Sequence, residues 1–256
     1  MKNQFSSTMM PEIRQKWVLI VLACLSTVMK VSAANCITFS TEVAPGSLNT
    51  EMFQTDPGTN GDQRLDNLTK SILSTFNSAD SAKTATLLNQ ILEELRTGNH
   101  NNLITSTAQY SVGIYYLLKD MAGEALNWFR LSSSLRDQMK TDDEIQAKCL
   151  FNMGLAYYST GDYRRMAEAI LRSVEIEKKL FGAENPRLIS GLSSLVTAYL
   201  NLNEYNKAIF YGDTALNLIK KADESKIPDI AVLYMNIGVC YTWLSDYSKA
   251  KLYFEK

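Results

Sequence analysis

The stretch MGLAYYSTGDYRRMAEAILRSVEIEKK, Met153 to Lys179, decides the fold. A small residue at Gly154, an aromatic at Tyr157, a turn glycine at Gly161 and a second aromatic at Tyr163 stand at fixed offsets, followed by Met166 and Ile170. Apolar positions recur every three or four residues on both sides of Gly161, which predicts two amphipathic helices folded back on one another.

The pattern returns along the chain. Upstream it reads Gly113, Tyr116, Ala125, Trp128 and Phe129, with Lys119 to Ala122 as the turn. Downstream it reads Val196, Tyr199, Asn203, Tyr205, Ala208, Tyr211 and Ala215, then Gly238, Tyr241, Ser245, Tyr247, Ala250 and Phe254. The first-helix aromatics at Tyr116, Tyr157, Tyr199 and Tyr241 are separated by 41, 42 and 42 positions. A period held to one residue over four units is an internal repeat. The expected fold is therefore all-α, an α-solenoid of antiparallel helix hairpins over residues 102–256, with the last repeat truncated. Helix-interior glycines cost about 1 kcal/mol against alanine, so Gly113, Gly154 and Gly238 point to close helix approach. A large side chain at Gly154 or Ala208 is expected to splay its hairpin.

Helix ends agree with this division. Thr141 and Glu144 have the spacing of a capping box. Gly182 closes the helix that starts near Asp162, and Asn185 with Pro186 offers a cap and a first-turn proline for the next. Pro228 and Asp229 do the same before the last repeat. Before the repeats, residues 62–98 read as a degenerate hairpin: Leu65, Leu68, Ile72, Leu73 and Phe76 recur at helical spacing, Asn77 to Asp80 break the run, Leu87, Leu88, Ile91, Leu92 and Leu95 resume it, and Gly98 ends it. Residues 34–61 lose periodicity and collect Pro45-Gly46, Pro57-Gly58 and Asn60-Gly61, the composition of a linker or disordered arm.

Residues 1–33 have the pattern of an export signal: Lys2, Arg14 and Lys16 precede an apolar run from Trp17 to Met29, and Val31-Ser32-Ala33 supplies a small-x-small cleavage pattern. This predicts a periplasmic or envelope-associated protein. An uncleaved N-terminal membrane anchor is the alternative, although the run is shorter than the roughly 20 residues of a span. Val21-Leu22-Ala23-Cys24 is similar to a bacterial lipoprotein box. Cleavage after Ala33 would leave Cys36, Cys149 and Cys240, an odd number that sets up no disulfide framework.

With 46% hydrophobic and 21% charged residues the 256-residue chain has the makings of a folded core, and a net charge of -1 gives no basic surface for nucleic acid. The single histidine, His100, has no cysteine or carboxylate at a metal-ligand spacing, and no glycine-rich phosphate loop occurs. Neither a cofactor nor a metal is expected. A Cys149 and His100 dyad is formally available, but helical hairpins rarely hold an activated pair of that kind.

The motif Gly-x-x-Tyr, then Gly-Asp-Tyr, then Ala from Gly154 to Ala167, and Ser245-Asp246-Tyr247-Ser-Lys-Ala250, resembles the tetratricopeptide repeat. Lys179-Leu-Phe-Gly182-Ala-Glu-Asn185-Pro186 is similar to the linker between repeats of kinesin light chains and their bacterial relatives, a type with a 42-residue period. The match departs at Met166 and Val196, where that family has a small residue. The resemblance implies a right-handed α-solenoid, a tetratricopeptide-like superhelix, acting as a non-catalytic interaction scaffold whose concave face, lined by first helices, holds a peptide or helix of a partner protein. Carried over by register, that face comprises Tyr110, Ile114 and Leu117, then Lys148, Phe151, Leu155 and Tyr158, then Ser193, Thr197 and Leu200, then Met235, Val239 and Thr242. A polar ladder of Ser111, Asn152, Ser194 and Asn236 runs beside it, suited to holding a peptide backbone. The lysine and asparagine clamp of the chaperone-binding members is not matched, since Tyr110 and Ile114 stand in its place.

The final amphipathic stretch, Tyr247 to Lys256, has no polar capping helix after it, which predicts either a longer protein or self-association through that end. The resemblance to repeat-bearing bacterial sensor kinases and caspase-like proteases gives the alternative reading, the repeat region of a longer enzyme with its catalytic domain beyond residue 256.

Overall fold

The computed structural model describes residues 60–76, 81–221 and 230–256. The export signal of residues 1–33, the linker up to residue 59, the break at Asn77 to Asp80 and the Pro228-Asp229 cap lie outside the described residues.

Within them the chain forms α1 (Asn60–Thr75), α2 (Ser81–Thr97), α3 (Asn102–Leu118), α4 (Ala122–Gln138), α5 (Glu144–Ser159), α6 (Tyr163–Phe181), α7 (Leu188–Asn201), α8 (Tyr205–Ile219), α9 (Ile230–Trp243) and α10 (Tyr247–Phe254). Consecutive helices pair as hairpins, α1 with α2 through to α9 with α10, and each second helix packs on the first helix of the next repeat. The result is a right-handed all-α solenoid. Asn60 and Gly61 belong to α1 rather than to a turn, in a first turn that tolerates both residue types.

Three local devices generate each hairpin. The first is one left-handed residue per turn: Asp120 at φ +58°, Gly161 at +76°, Asn203 at +60° and Ser245 at +61°. Their spacing is the repeat period, because reversing a helix so tightly needs one residue in that region. The second is a cap directly after it. Asp162 accepts from the Arg165 N–H at 3.1 Å and Asp246 from the Lys249 N–H at 3.2 Å, whereas Met121 offers α4 no side-chain acceptor.

The third device is a matched small and large pair, sixteen positions apart, where the two helices touch. A Cβ on Gly113 would stand 2.5 Å from the Phe129 ring, one on Gly154 would stand 2.4 Å from Ile170, and one on Gly238 would stand 2.6 Å from Phe254. The third repeat departs from this: Val196 is fully buried at the first position, and the space at Gly212 receives Ile237 of α9, which a Cβ there would meet at 2.6 Å, with the Val196 methyl at an ordinary 3.5 Å. Met166, the other departure, is buried in the same core as Ala125 and Ala208.

One apolar core runs unbroken through the four repeats from Tyr110 to Cys240. A second core holds Leu65, Ile72, Leu88 and Ile91 of the α1/α2 hairpin against Ala108 and Val112 of α3. The degenerate hairpin therefore docks on the first good repeat through its own contacts.

The cap before α5 differs from the sequence reading. Asp143, not Thr141, accepts from the Gln146 N–H at 2.8 Å, because its side chain sits at the residue where helical geometry begins. Asn185 accepts from the Arg187 N–H at 2.9 Å, and Gly182 at φ +89° ends α6.

Candidate functional site

The first helices of the repeats, α3, α5, α7 and α9, form the inner layer. α3 packs closely on α5 and α7 on α9, whereas second helices of successive repeats are linked by long side chains, Arg172 to Asp137 and Tyr253 to Asp213. The tighter layer is the concave one.

Seventeen positions are expected on that face or in the ladder beside it, and the structure divides them. Lys148, Phe151, Tyr158, Thr197 and Met235 are half-exposed on the inner wall. Tyr110, Ile114, Leu117, Asn152, Leu155, Ser194, Asn236 and Val239 are buried. Those eight pack first helices on their neighbours and present no surface to a partner. Among the other positions read by register, Leu200 and Ser111 are also buried, Ser193 is half-buried and Thr242 exposed.

The polar ladder has a structural role. The Asn152 amide donates to the Tyr110 hydroxyl at 3.3 Å and to the Lys148 carbonyl at 2.9 Å; the Asn236 amide donates to the Thr197 hydroxyl at 3.2 Å. Each asparagine thus ties its first helix to that of the preceding repeat. Ser111 and Ser194 donate to the carbonyls of Ala108 and Ser190 on their own helices. The expected peptide-holding ladder is instead a set of ties along the solenoid axis.

A second set of ties lies between the two helices of a hairpin: the Ser132 hydroxyl donates to the Ser106 carbonyl and the Ser173 hydroxyl to the Ala147 carbonyl, each at 2.7 Å. Arg136, fully buried, joins three helices by reaching Asp143 and, at 2.7 Å, the Thr107 hydroxyl. Nothing in the periodicity singled Arg136 out, because the equivalent positions carry Glu177 and Ile219.

The charge distribution is the signal that periodicity reading missed. α3, α7 and α9 contain no Asp, Glu, Lys or Arg, and α5 contains Glu144 and Lys148. Those two pair with each other at 3.1 Å, and Glu144 also meets Arg187 at 3.2 Å. By contrast α6 alone has eight charged residues. Burial pushes the Tyr158 hydroxyl up to about 12, with Tyr163 adding to the effect, so it stays neutral. The concave wall is apolar, aromatic and hydroxylic, while formal charge sits on the outer layer.

The groups weighed for catalysis are placed elsewhere. Burial pushes the thiol of Cys149 up to about 12, and its Sγ lies 3.3 Å from the Phe129 carbonyl. Cys240 is likewise buried and pushed up to about 12. His100 has acquired carboxylate neighbours that its sequence surroundings did not suggest: Nδ1 lies 3.3 Å from Asp62 and Nε2 lies 3.0 Å from the Glu94 carbonyl. With Asp62 accepting from the Asn101 N–H at 2.9 Å, this cluster seals the joint between α1, α2 and α3. No group of three or more potential metal ligands occurs among the described residues, and none of their helices is long and apolar enough to cross a membrane.

Comparison with known proteins agrees with this architecture. A family model described as tetratricopeptide repeat matches residues 147–180, which cover most of α5 and all of α6 but its last residue. The chain carries a tetratricopeptide repeat. The solenoid built from its tetratricopeptide-like hairpins is similar to BtubC (BKLC) from P. vanneervenii, with a TM-score of 0.65 and 14% identity over 88% of this chain and 86% of that one. It is similar also to a putative kinesin light chain of Podosopora anserina with nearly identical TPR-like repeats, with a TM-score of 0.64 and 14% identity over 77% of this chain and 94% of that one. A Rap protein complexed with competence and sporulation factor matches with a TM-score of 0.56 and 16% identity, over 94% of this chain and 64% of that one. No curated protein matches the sequence. At these identities the solved structures show the fold, and function has to be argued from the wall itself.

Proposed function

We propose that the chain is a non-catalytic protein-interaction scaffold whose concave wall of first helices receives a segment of a partner protein. The observation that carries this reading is the wall itself, with no charged residue on α3, α7 or α9, with Lys148 of α5 paired to Glu144, and with Phe151, Tyr158, Thr197 and Met235 partly exposed on a repeat framework. Apolar and aromatic groups held open to solvent in a concavity are the usual makings of a binding site. The inaccessible Cys149 thiol and the structural engagement of His100 support a role without catalysis. The leader-like residues 1–33 support export to the cell envelope, where this scaffold would act as a sensory or scaffolding arm.

Site-specific photocrosslinking in cells tests the reading. A photoreactive amino acid at Thr197 or Met235 is expected to trap a discrete protein partner, while the same group at Glu168 or Lys207 on second helices traps none. Adducts confined to second-helix positions, or none from any position, would overturn it. Fractionating the same cells tests export, which is lost if the mature chain stays in the cytoplasm.

A further inference from the structure

Most hydrogen-bonding side chains of the wall are already engaged within the chain, although the buried Asn236 Oδ1 has no partner. The amides of Asn152 and Asn236 hold neighbouring first helices, and the Asn201 amide donates to the Thr197 carbonyl at 2.8 Å. The hydroxyls of Ser159, Thr197 and Thr242 donate to backbone carbonyls of their own helices at 3.3, 3.3 and 3.0 Å. The Lys148 ammonium is neutralised by Glu144.

This decides the form of the occupant. An extended segment laid in a concavity brings one N–H and one carbonyl per residue, and each needs a partner once water is excluded, at a cost of about 1–3 kcal/mol when left unpaired. The wall has no row of free amides to meet them. A helix satisfies its backbone internally and needs from the wall only apolar contact. Charged side chains on the docking face would find no counter-ion on α3, α7 or α9 and would be desolvated without compensation.

We propose that the occupant of this wall is an amphipathic α-helix of a partner protein whose docking face is apolar and free of charge. This rests on the interaction reading above and specifies its ligand. The wall selects such a helix by burial of Leu, Met or aromatic side chains between Phe151, Tyr158 and Met235, and the polar face of the helix stays in solvent.

Selection of binders from a library of linear peptides of about 18 residues, long enough for about five helical turns, on the intact folded chain tests this. Peptides whose binding is abolished by Thr197→Arg, with unchanged helical circular dichroism of the protein, are assigned to the wall. The expected sequences place apolar residues at helical spacing with no charge between them. A central proline in such a peptide weakens binding about a hundredfold, from a helix-interior cost of about 3 kcal/mol. Affinity changes less than about twofold between about 0.05 and about 0.5 M salt, because no ion pair is screened. Wall binders that tolerate the proline and show a two-residue apolar period, or that are charged and strongly salt-dependent, overturn the helix proposal and leave the interaction reading standing. A selection with no binder sensitive to Thr197→Arg overturns both.

Discussion

At the scale of single residues, the buried charges depart most from the apolar pattern around them. Arg136 and Glu177 occupy equivalent positions in successive second helices, one a partnered cation and the other an acid without a hydrogen bond. Burial pushes the Glu177 carboxyl up to about 7; Arg187 and Lys148 oppose that shift and Glu144 adds to it. Between its ordinary range and about 7 the folded chain holds a proton that the unfolded chain has released, so stability falls as pH rises across that window. Glu177→Gln is expected to raise the melting temperature more at pH 8 than at pH 5, and equal gains at the two pH values would count against this account. Arg136→Ala removes the bonds to Asp143 and Thr107 and opens a cavity at a fully buried site, which should lower stability by about 3 kcal/mol in urea unfolding. The sequence disclosed neither group, because a charged residue on an amphipathic helix reads as solvent-facing until the third helix that covers it is known.

At the scale of elements, hairpin geometry rests on the small and large pairs between first and second helices. Gly154→Leu drives a side chain into Ile170, whose Cδ1 would already lie 2.4 Å from a bare Cβ. Overpacking of this kind costs about 1–3 kcal/mol or more, and loss of at least that much in urea unfolding is expected. In the third repeat Val196→Gly should also be destabilising, since it removes a fully buried side chain and leaves a cavity. Met121→Asp supplies the acceptor that α4 lacks and that Asp162 and Asp246 provide elsewhere; it should stabilise the chain by about 1 kcal/mol, read as a higher urea midpoint. These features were legible in the sequence because they depend on residue types at short, fixed offsets. The seat that Gly212 gives Ile237 was not, since it needs the next repeat in view.

At the scale of the whole molecule, the two cores meet at Phe76 and Tyr116, which pack against both, and a polar joint of Asp62, Glu94, His100 and Asn101 ties α1 and α2 to the start of α3. Asp62→Ala removes the acceptor shared by His100 and the Asn101 N–H. The expected outcome is faster amide hydrogen exchange in α1 and α2 with little change in α5 to α8, because the central repeats keep their own contacts. Uniform acceleration along the chain would show instead that the solenoid opens as one unit. The separation of charge between inner and outer layers is also a property at this scale: individual helices look ordinary, and the difference emerges once α3, α5, α7 and α9 are known to share one side.

The 42-residue spacing, the turn residues and the small side chains determined by themselves that this chain is an all-α solenoid, because close antiparallel helices and tight reversals demand those residue types locally. Which first-helix side chains remain open to a partner was decided only by the tertiary structure. Asn152 and Tyr110 are 42 positions apart, and stacking of the repeats brings them within hydrogen-bonding distance. That contact turns a ladder suited to a peptide backbone into a tie between helices, and leaves the concave wall apolar and without charge to spare.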